Sequence, residues 1–238
     1  MWQRPGQPIR HNVPMSRNRK LGWVLLVGVV FAALLWMFVA TRTQAQVPET
    51  PATVALEEIP VSEHTGPDYD RDKFGARWAD VDHNGCDTRN DILARDLTDV
   101  TYRDGTHECV VASGVLEDPY TGQTIIFTRG ENTSADVQID HVVALADAWG
   151  SGAWQWNARD REDFANDPLN LLAVDGPTNN AKGAASADQW LPQQNQCDYA
   201  LRQVAVKYYW GLTVTAREKD ALIDVLSDCP ATALPPRQ

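Results

Sequence analysis

The chain has few of the residues that build structural zinc sites. Its 238 residues include only four cysteines and five histidines, with no CxxC pair and no Cys/His cluster, which argues against a zinc fold. Four cysteines permit three pairings. The sequence-local pairing, Cys86–Cys109 and Cys197–Cys229, is favoured because each pair falls within one structural neighbourhood. Two such disulfides are typical of a domain that leaves the cytoplasm.

Basic residues are also scarce in most of the chain. Beyond residue 48 there are 15 basic residues against 32 acidic ones, a balance of −17. This charge argues against tight, non-specific DNA binding, because attraction to phosphate normally dominates such binding. A local cleft on an acidic domain can nevertheless be positive.

One segment near the N-terminus has no charge at all. Leu21–Ala40 is a run of twenty mostly apolar residues, and at ~1.5 Å per residue it spans the ~30 Å core of a bilayer. Basic residues precede the run and acidic residues follow it, which places the N-terminus in the cytoplasm.

We therefore expect a single-pass protein of the cell membrane, with the membrane as a partner through this helix. The expected order is a basic cytoplasmic tail at 1–20, a transmembrane helix at 21–40, a disordered tether at 41–66 and an extracytoplasmic domain at 67–238. The alternative is a secreted protein with a signal peptide cleaved near Thr43-Gln44-Ala45.

The remainder of the sequence predicts an α+β domain. Helical patterns and short β-branched or apolar runs follow one another between turn residues. The predicted helices cover Asp70–Trp78, Arg89–Leu97 and Asp198–Tyr209, with a further helix after a capping box at Thr215. The predicted strands are Glu108–Gly114, Thr124–Thr128, Val137–Val143 and Asn170–Asp175.

Polar residues of catalytic type lie at three corners of this pattern. Asp140 and His141 end one strand-like run, Asn170 opens the next, and Asn179 begins the helix that follows, with Lys182 three residues later. If the two strands pair, the Asp-His end and the start of the helix can converge on one point.

This order resembles the HNH endonuclease superfamily, whose ββα-metal motif reads DH…N…[HN]xxK. Asp140–Trp149, Phe164–Gly176 and Gly85–Arg89 look like a secreted bacterial branch similar to the C-terminal nuclease domain of GmrSD-type restriction enzymes. The similarity covers roughly residues 67–230. It implies an α+β fold with a ββα-metal (HNH) core, elaborated with extra helices and short strands. Two disulfides would replace the zinc-binding cysteines of some relatives.

The resemblance also implies a role for each matching residue. His141 is expected to be the general base that takes a proton from the attacking water. Asp140 and Asn179 are each expected to give one oxygen to a divalent metal, Mg²⁺ or alternatively Mn²⁺, since an amide oxygen is a harder ligand than imidazole. Asn170 is expected to brace the loop and orient His141 through its backbone carbonyl.

Candidate substrate contacts are weaker signals. Lys182 and three arginines (Arg89, Arg159 and Arg161) are candidates to meet a nucleic acid, but arginines of an acidic domain are commonly solvated or paired. Asn179 or its neighbour Asn180 could equally be a helix N-cap. The segment Asp80–Gly85 reads as the start of a calcium loop, and a tight Asp/Asn/Gly turn explains it equally well.

The sequence thus favours a metal-dependent endonuclease that hydrolyses phosphodiester bonds of DNA or RNA outside the cytoplasm. One alternative is a non-catalytic cell-surface binding module that retains the HNH fold. Another is a hydrolase of a different phosphodiester polymer. Cleavage of nucleic acids with and without a divalent cation separates the three.

Overall fold

The computed structural model describes residues 49–230 and 233–237. The predicted cytoplasmic tail and the apolar segment Leu21–Ala40 lie outside the described residues. Within the described ranges the chain forms seven α-helices and five strands, so the expected mixed α+β class is confirmed. The helices are α1 (Pro51–Glu58), α2 (Thr88–Asp96), α3 (Leu145–Gly150), α4 (Ala158–Ala165), α5 (Gly176–Lys182), α6 (Gln196–Trp210) and α7 (Ala216–Ser227). The strands are β1 (Thr98–Tyr102), β2 (Val111–Glu117), β3 (Thr124–Thr128), β4 (Val137–His141) and β5 (Leu171–Asp175).

Strands β1, β2 and β3 form an antiparallel sheet in that order. The turn between β2 and β3 closes through a 2.9 Å hydrogen bond from the amide of Gly122 to the carbonyl of Asp118. Gly122 has a φ of 72°, a conformation that glycine adopts without steric cost. One face of the sheet packs Leu116 and Phe127 against α2, which gives the first layer of the core.

Strands β4 and β5 pair with each other in a second antiparallel sheet. The register sets His141 opposite Leu171 and Val137 opposite Asp175. Helix α5 starts directly after β5, and the Asp175 side chain caps it by accepting from the Thr178 amide at 2.8 Å. The end of β4 and the helix after β5 are thereby held on one small unit.

Helices α6 and α7 form the other half of the core. Leu201 and Val204 of α6 pack with Leu222 and Leu226 of α7 in one buried cluster. A disulfide joins Cys197, at the start of α6, to Cys229, just after the end of α7. A second disulfide joins Cys86 to Cys109. Both predicted pairings are confirmed.

Helix α1 corrects the expectation of a disordered tether over 41–66 for the stretch Pro51–Glu58, while residues 41–48 lie outside the described residues. Thr50 caps it in a reciprocal capping box with Thr53. Its small apolar face is buried in the cluster of α6 and α7, through Ala52, Ala55, Leu56 and Ile59. Alanines at helical spacing, placed among prolines and threonines, give only a weak hydrophobic pattern, so the sequence predicts a linker. The helix forms because tertiary packing stabilises it.

Candidate functional site

His141 ends β4 with a fixed ring orientation. Its Nε2 atom lies 2.8 Å from the carbonyl oxygen of Ala165. Because a carbonyl only accepts, the neutral ring must carry its proton on Nε2, and Nδ1 keeps its lone pair. The indole of Trp78 lies nearly parallel to this ring, with centroids 6.0 Å apart and planes 10° apart.

The surroundings of His141 favour the neutral imidazole. Burial lowers the pKa of His141 to about 4, and the charges of Arg71 and Lys182 act in the same direction. The bond to Ala165 opposes this shift without reversing it. The ring is therefore unprotonated at neutral pH, the state that a general base requires.

Asp140 is 4% exposed and is held through both carboxylate oxygens. Its Oδ1 atom lies 3.0 Å from Nζ of Lys182, and its Oδ2 atom accepts from the Tyr120 hydroxyl at 2.5 Å. Burial raises the pKa of Asp140, and the positive charge of Lys182 is the main opposing effect. Lys182 also donates to the carbonyl of His141 at 2.9 Å. The lysine is 2% exposed, so it holds Asp140 and His141 in position. This burial leaves no surface for the substrate contact that the sequence analysis predicts for Lys182.

Asn179 of α5 faces the same place. Its Nδ2 atom donates to Oε1 of Gln138 at 2.9 Å, and its Oδ1 atom has no hydrogen-bond partner among the described residues. Asn179, Asp140 and His141 all line one open cleft of about 590 Å³. The structure thus brings together the three residues that the sequence predicts as a site.

Asn170 braces the chain just beyond His141. It is fully buried, its backbone carbonyl accepts from the Val142 amide, and its Oδ1 atom accepts from the Val143 amide, each at 2.8 Å. Its Nδ2 atom returns a bond to the Val143 carbonyl at 3.1 Å. The bracing role fits the prediction, but the carbonyl that orients the ring of His141 belongs to Ala165.

The predicted arginines divide between two locations. Arg89 lines the cleft, but Arg159 and Arg161 do not. Arg159 is an exposed partner of Asp163, with its side chain 88% exposed. Arg161 donates to the backbone of Lys73 and Trp156 and lies over the Trp149 ring. Since Arg161 belongs to α4, these contacts hold the segment around Lys73 against that helix.

Sequence reasoning missed several residues that support or line the cleft. Tyr120 and the Ala165 carbonyl support it from below the surface and leave no local signal, because they reach the site only through tertiary packing. Arg71, Arg77 and Trp78 line the cleft itself. A signal for the two arginines was available, since Arg71, Lys73 and Arg77 form a basic group within an acidic region.

The residues at the cleft fit a hard divalent cation. Asp140 and Asn179 offer oxygen ligands, and the roughly four acceptor sites of a carboxylate exceed the three bonds that Asp140 accepts from Lys182, Tyr120 and the His141 amide. A different group, His64, Asp147 and Glu218, has ligand atoms within 4.8 Å of one another. The Lys207 ammonium already occupies the space between both carboxylates of this group, at 2.9 Å from Asp147 and 2.6 Å from Glu218, whereas Lys182 contacts only Oδ1 of Asp140 at the cleft.

The Asp80–Gly85 segment forms a hydrogen-bonded turn. The Asn84 amide donates to carboxylate oxygens of Asp80 and Asp82, each at 3.1 Å, and the Gly85 amide donates to Asp80 at 3.0 Å. The Asn84 side chain also donates to Asp82 and to Asp91. These contacts account for the acidic pattern as a turn that leads into α2.

The chain belongs to the family described as the C-terminal domain of GmrSD restriction endonucleases, which matches residues 87–225. A protein of Arthroderma benhamiae, named "Uncharacterized secreted protein", is 37% identical over 211 residues, covering 84% of this chain and 98% of that protein. No solved structure matches the chain. Neither similarity tests the expectation of a bacterial branch.

The expected single-pass membrane localisation is wrong. The relative that shares most of this chain's length is named a secreted protein. Among residues 49–230 and 233–237, no helix combines the length and the apolar character needed to cross a membrane. The inference relied on Leu21–Ala40 and on the charges that flank it, and a long apolar run is a feature that leaders and anchors share.

Proposed function

We propose that this protein is a secreted, metal-dependent HNH endonuclease that hydrolyses phosphodiester bonds of DNA or RNA. In this proposal β4, β5 and α5 form the ββα unit, within a nuclease-like domain that includes α1. The observation that carries it is the His141 ring, which is neutral, fixed by Ala165 and placed in one cleft with Asp140 and Asn179. The family membership supports the same class of reaction.

The proposed reaction is a single displacement at phosphorus. Nδ1 of His141 takes a proton from a water molecule as its oxygen bonds to phosphorus, and the bond from phosphorus to the departing sugar oxygen breaks. The Ala165 carbonyl stabilises the imidazolium that results, because it accepts from Nε2. Asp140 and Asn179 would hold the cation, with Lys182 and Tyr120 fixing the carboxylate. When bound, the cation supplies charge stabilisation for the phosphate and the departing oxygen.

The test is cleavage by His141→Asn, matched with His107→Asn. The asparagine side chain is polar and smaller than the imidazole, and it has no basic nitrogen. His107 is exposed, lies outside the cleft and has a φ of 53° that asparagine tolerates. The substrates are plasmid DNA and single-stranded RNA. Each is incubated with Mg²⁺, with Mn²⁺, or with EDTA as the metal-free control.

We expect His141→Asn to lower the cleavage rate by about 10²–10⁴-fold, the usual contribution of general base catalysis. His107→Asn should cleave like the unaltered protein. Full activity of a folded His141→Asn variant would refute the base assignment. Absence of cleavage by the unaltered protein with either metal would favour a non-catalytic binding module.

A further inference from the structure

The cleft carries a charge opposite to that of the domain around it. Arg71, Arg77 and Arg89 line it, and its one acidic lining residue is Asp140, which pairs with buried Lys182. The chain beyond residue 48 holds 15 basic residues against 32 acidic ones. Three arginines gathered at the proposed reaction centre are therefore a local exception to the overall charge.

None of these arginines pairs with a carboxylate among the described residues. Arg77 is exposed and has no hydrogen-bond partner there. Arg71 donates only to the Gly75 carbonyl, at 3.3 Å, and Arg89 donates only to the carbonyls of Ser134 and Val137. Burial lowers the pKa of both Arg71 and Arg89. Desolvated guanidinium groups without a counter-charge are costly, so an anion in the cleft would offset that cost.

Two aromatic side chains share the cleft with the arginines. Tyr69 is 42% exposed, and Trp78 lies beside the His141 ring. The Trp78 backbone has a φ of 56°, a left-handed conformation that is uncommon for a bulky residue. Packing of Trp78 against the α2 and sheet cluster explains part of its burial. It does not explain why a strained backbone holds an indole at the cleft, and strain of this kind concentrates at functional sites.

We infer that the cleft binds single-stranded nucleic acid, with the arginines on phosphates and Trp78 and Tyr69 stacked on unpaired bases. This inference rests on the proposed function and specifies its substrate. Aromatic faces can stack only on bases that are not already stacked in a duplex. A single strand can also be confined to the positive cleft. A duplex brings additional phosphates over the acidic surface within a Debye length, where they are repelled.

The test measures binding apart from cleavage. Fluorescence anisotropy with EDTA compares a labelled oligodeoxythymidine of about 15 nucleotides, within the range of known single-strand sites, with a duplex of the same length. The proteins are the full chain, Trp78→Ala, Trp78→Phe, Tyr69→Ala and Arg77→Ala. Arg103→Ala is the control, because Arg103 is exposed and does not line the cleft.

We expect the single strand to bind at least about tenfold more tightly than the duplex. Trp78→Ala should weaken single-strand binding by about 5- to 100-fold, the range for loss of one stacked base, with Trp78→Phe close to the unaltered protein. Tyr69→Ala should weaken it in the same direction. Arg77→Ala should reduce the slope of log affinity against log salt by about 0.7, and Arg103→Ala should not change it.

Equal or tighter duplex binding, or no binding of either probe, would overturn the inference. So would unchanged single-strand affinity in folded Trp78→Ala and Tyr69→Ala. These outcomes are separable from the cleavage test. Cleavage that depends on His141 but favours duplex sinks only the strand preference, whereas tight single-strand binding without cleavage sinks only the nuclease proposal.

Discussion

The Nζ atom of Lys182 lies 3.0 Å from Oδ1 of Asp140, and both side chains are buried. The pair joins α5 to the last strand residues beside the proposed base. Because the same ammonium also binds the His141 carbonyl, one buried cation fixes both residues of the Asp-His pair. Much of the site geometry therefore depends on a residue that does not line the cleft.

Replacing Lys182 with methionine should destabilise the protein strongly. The change leaves Asp140 as a buried carboxylate with no counter-charge, held only by the Tyr120 hydroxyl and the His141 amide, and loss of one partner of a buried ion pair costs about 3–5 kcal/mol. Urea unfolding gives the free energy of unfolding. Lys219→Met is the control, since Lys219 pairs with a Glu57 side chain that is 66% exposed, and it should cost less than about 1 kcal/mol. A loss for Lys182→Met no larger than the control's would contradict the interpretation.

The contact of His64 with Asp147 predicts a pH-dependent contribution to stability. The hydrogen bond that Nε2 of His64 donates to Oδ1 of Asp147, at 3.2 Å, is the main cause that raises the pKa of His64. Burial acts to raise the pKa of Asp147, but Lys207 and His64 outweigh it and the pKa falls, so the aspartate stays charged. The His64 contribution is therefore full below its unfolded pKa of about 6.5 and is lost as pH rises through its folded value.

His64→Gln should consequently cost more stability at acidic than at alkaline pH. Because the imidazole is partly exposed, the difference should be about 1 kcal/mol or less. Thermal unfolding of both proteins at pH 6 and at pH 9 measures it. An identical loss at the two pH values would show that the charge on His64 contributes nothing.

Gly176 should not tolerate a side chain. A Cβ atom there would lie 2.1 Å from the Ala135 carbonyl oxygen, and a backbone atom cannot move aside cheaply. Gly176→Ala should destabilise by about 1–3 kcal/mol as the start of α5 shifts. The cleavage rate should fall by more than the loss of folded protein accounts for, because α5 carries Asn179.

Gly130→Ala is the matched control for this change. Its new Cβ would meet the Thr133 hydroxyl at 2.7 Å, and a side chain can rotate away. Equal stability losses for the two variants, measured by urea unfolding, would argue against a special close approach at Gly176.

The Cys197–Cys229 bridge should contribute substantially to stability. It closes a loop with a sequence separation of 32 residues and joins the α6 and α7 ends. Replacing both cysteines with serine should lower the free energy of unfolding by roughly 3–4 kcal/mol in the chain-entropy model. Guanidinium unfolding of the double variant measures this loss, and a change below about 1 kcal/mol would show that helix packing alone holds the two ends together.

Local patterns in the sequence predicted a large part of this fold. Strand β3 coincides with Thr124–Thr128, because β-branched and aromatic residues fill it between turn residues. The capping threonine of α7 and both disulfides also match. Strand β1 was missed, since Thr98–Tyr102 has a mostly exposed and polar composition whose pairing is set by β2.

Of the candidate site, only the possible metal ligands and the general base could be predicted from the sequence. Asp140, His141 and Asn179 have a recognisable order, but their partners come from distant segments. Burial of Lys182 could not be read locally, because a lysine near a helix end normally faces water. The Ala165 carbonyl and the strained Trp78 likewise reach the site only through the folded chain.

Burial of α1 has a practical consequence for anyone preparing the domain. A fragment that begins at residue 67 would lack the helix that covers Leu201, Val204, Leu222 and Leu226. Its uncovered apolar surface would favour aggregation during expression. Truncations should therefore begin ahead of Thr50, so that the capping threonine and the whole helix stay with the recombinant product.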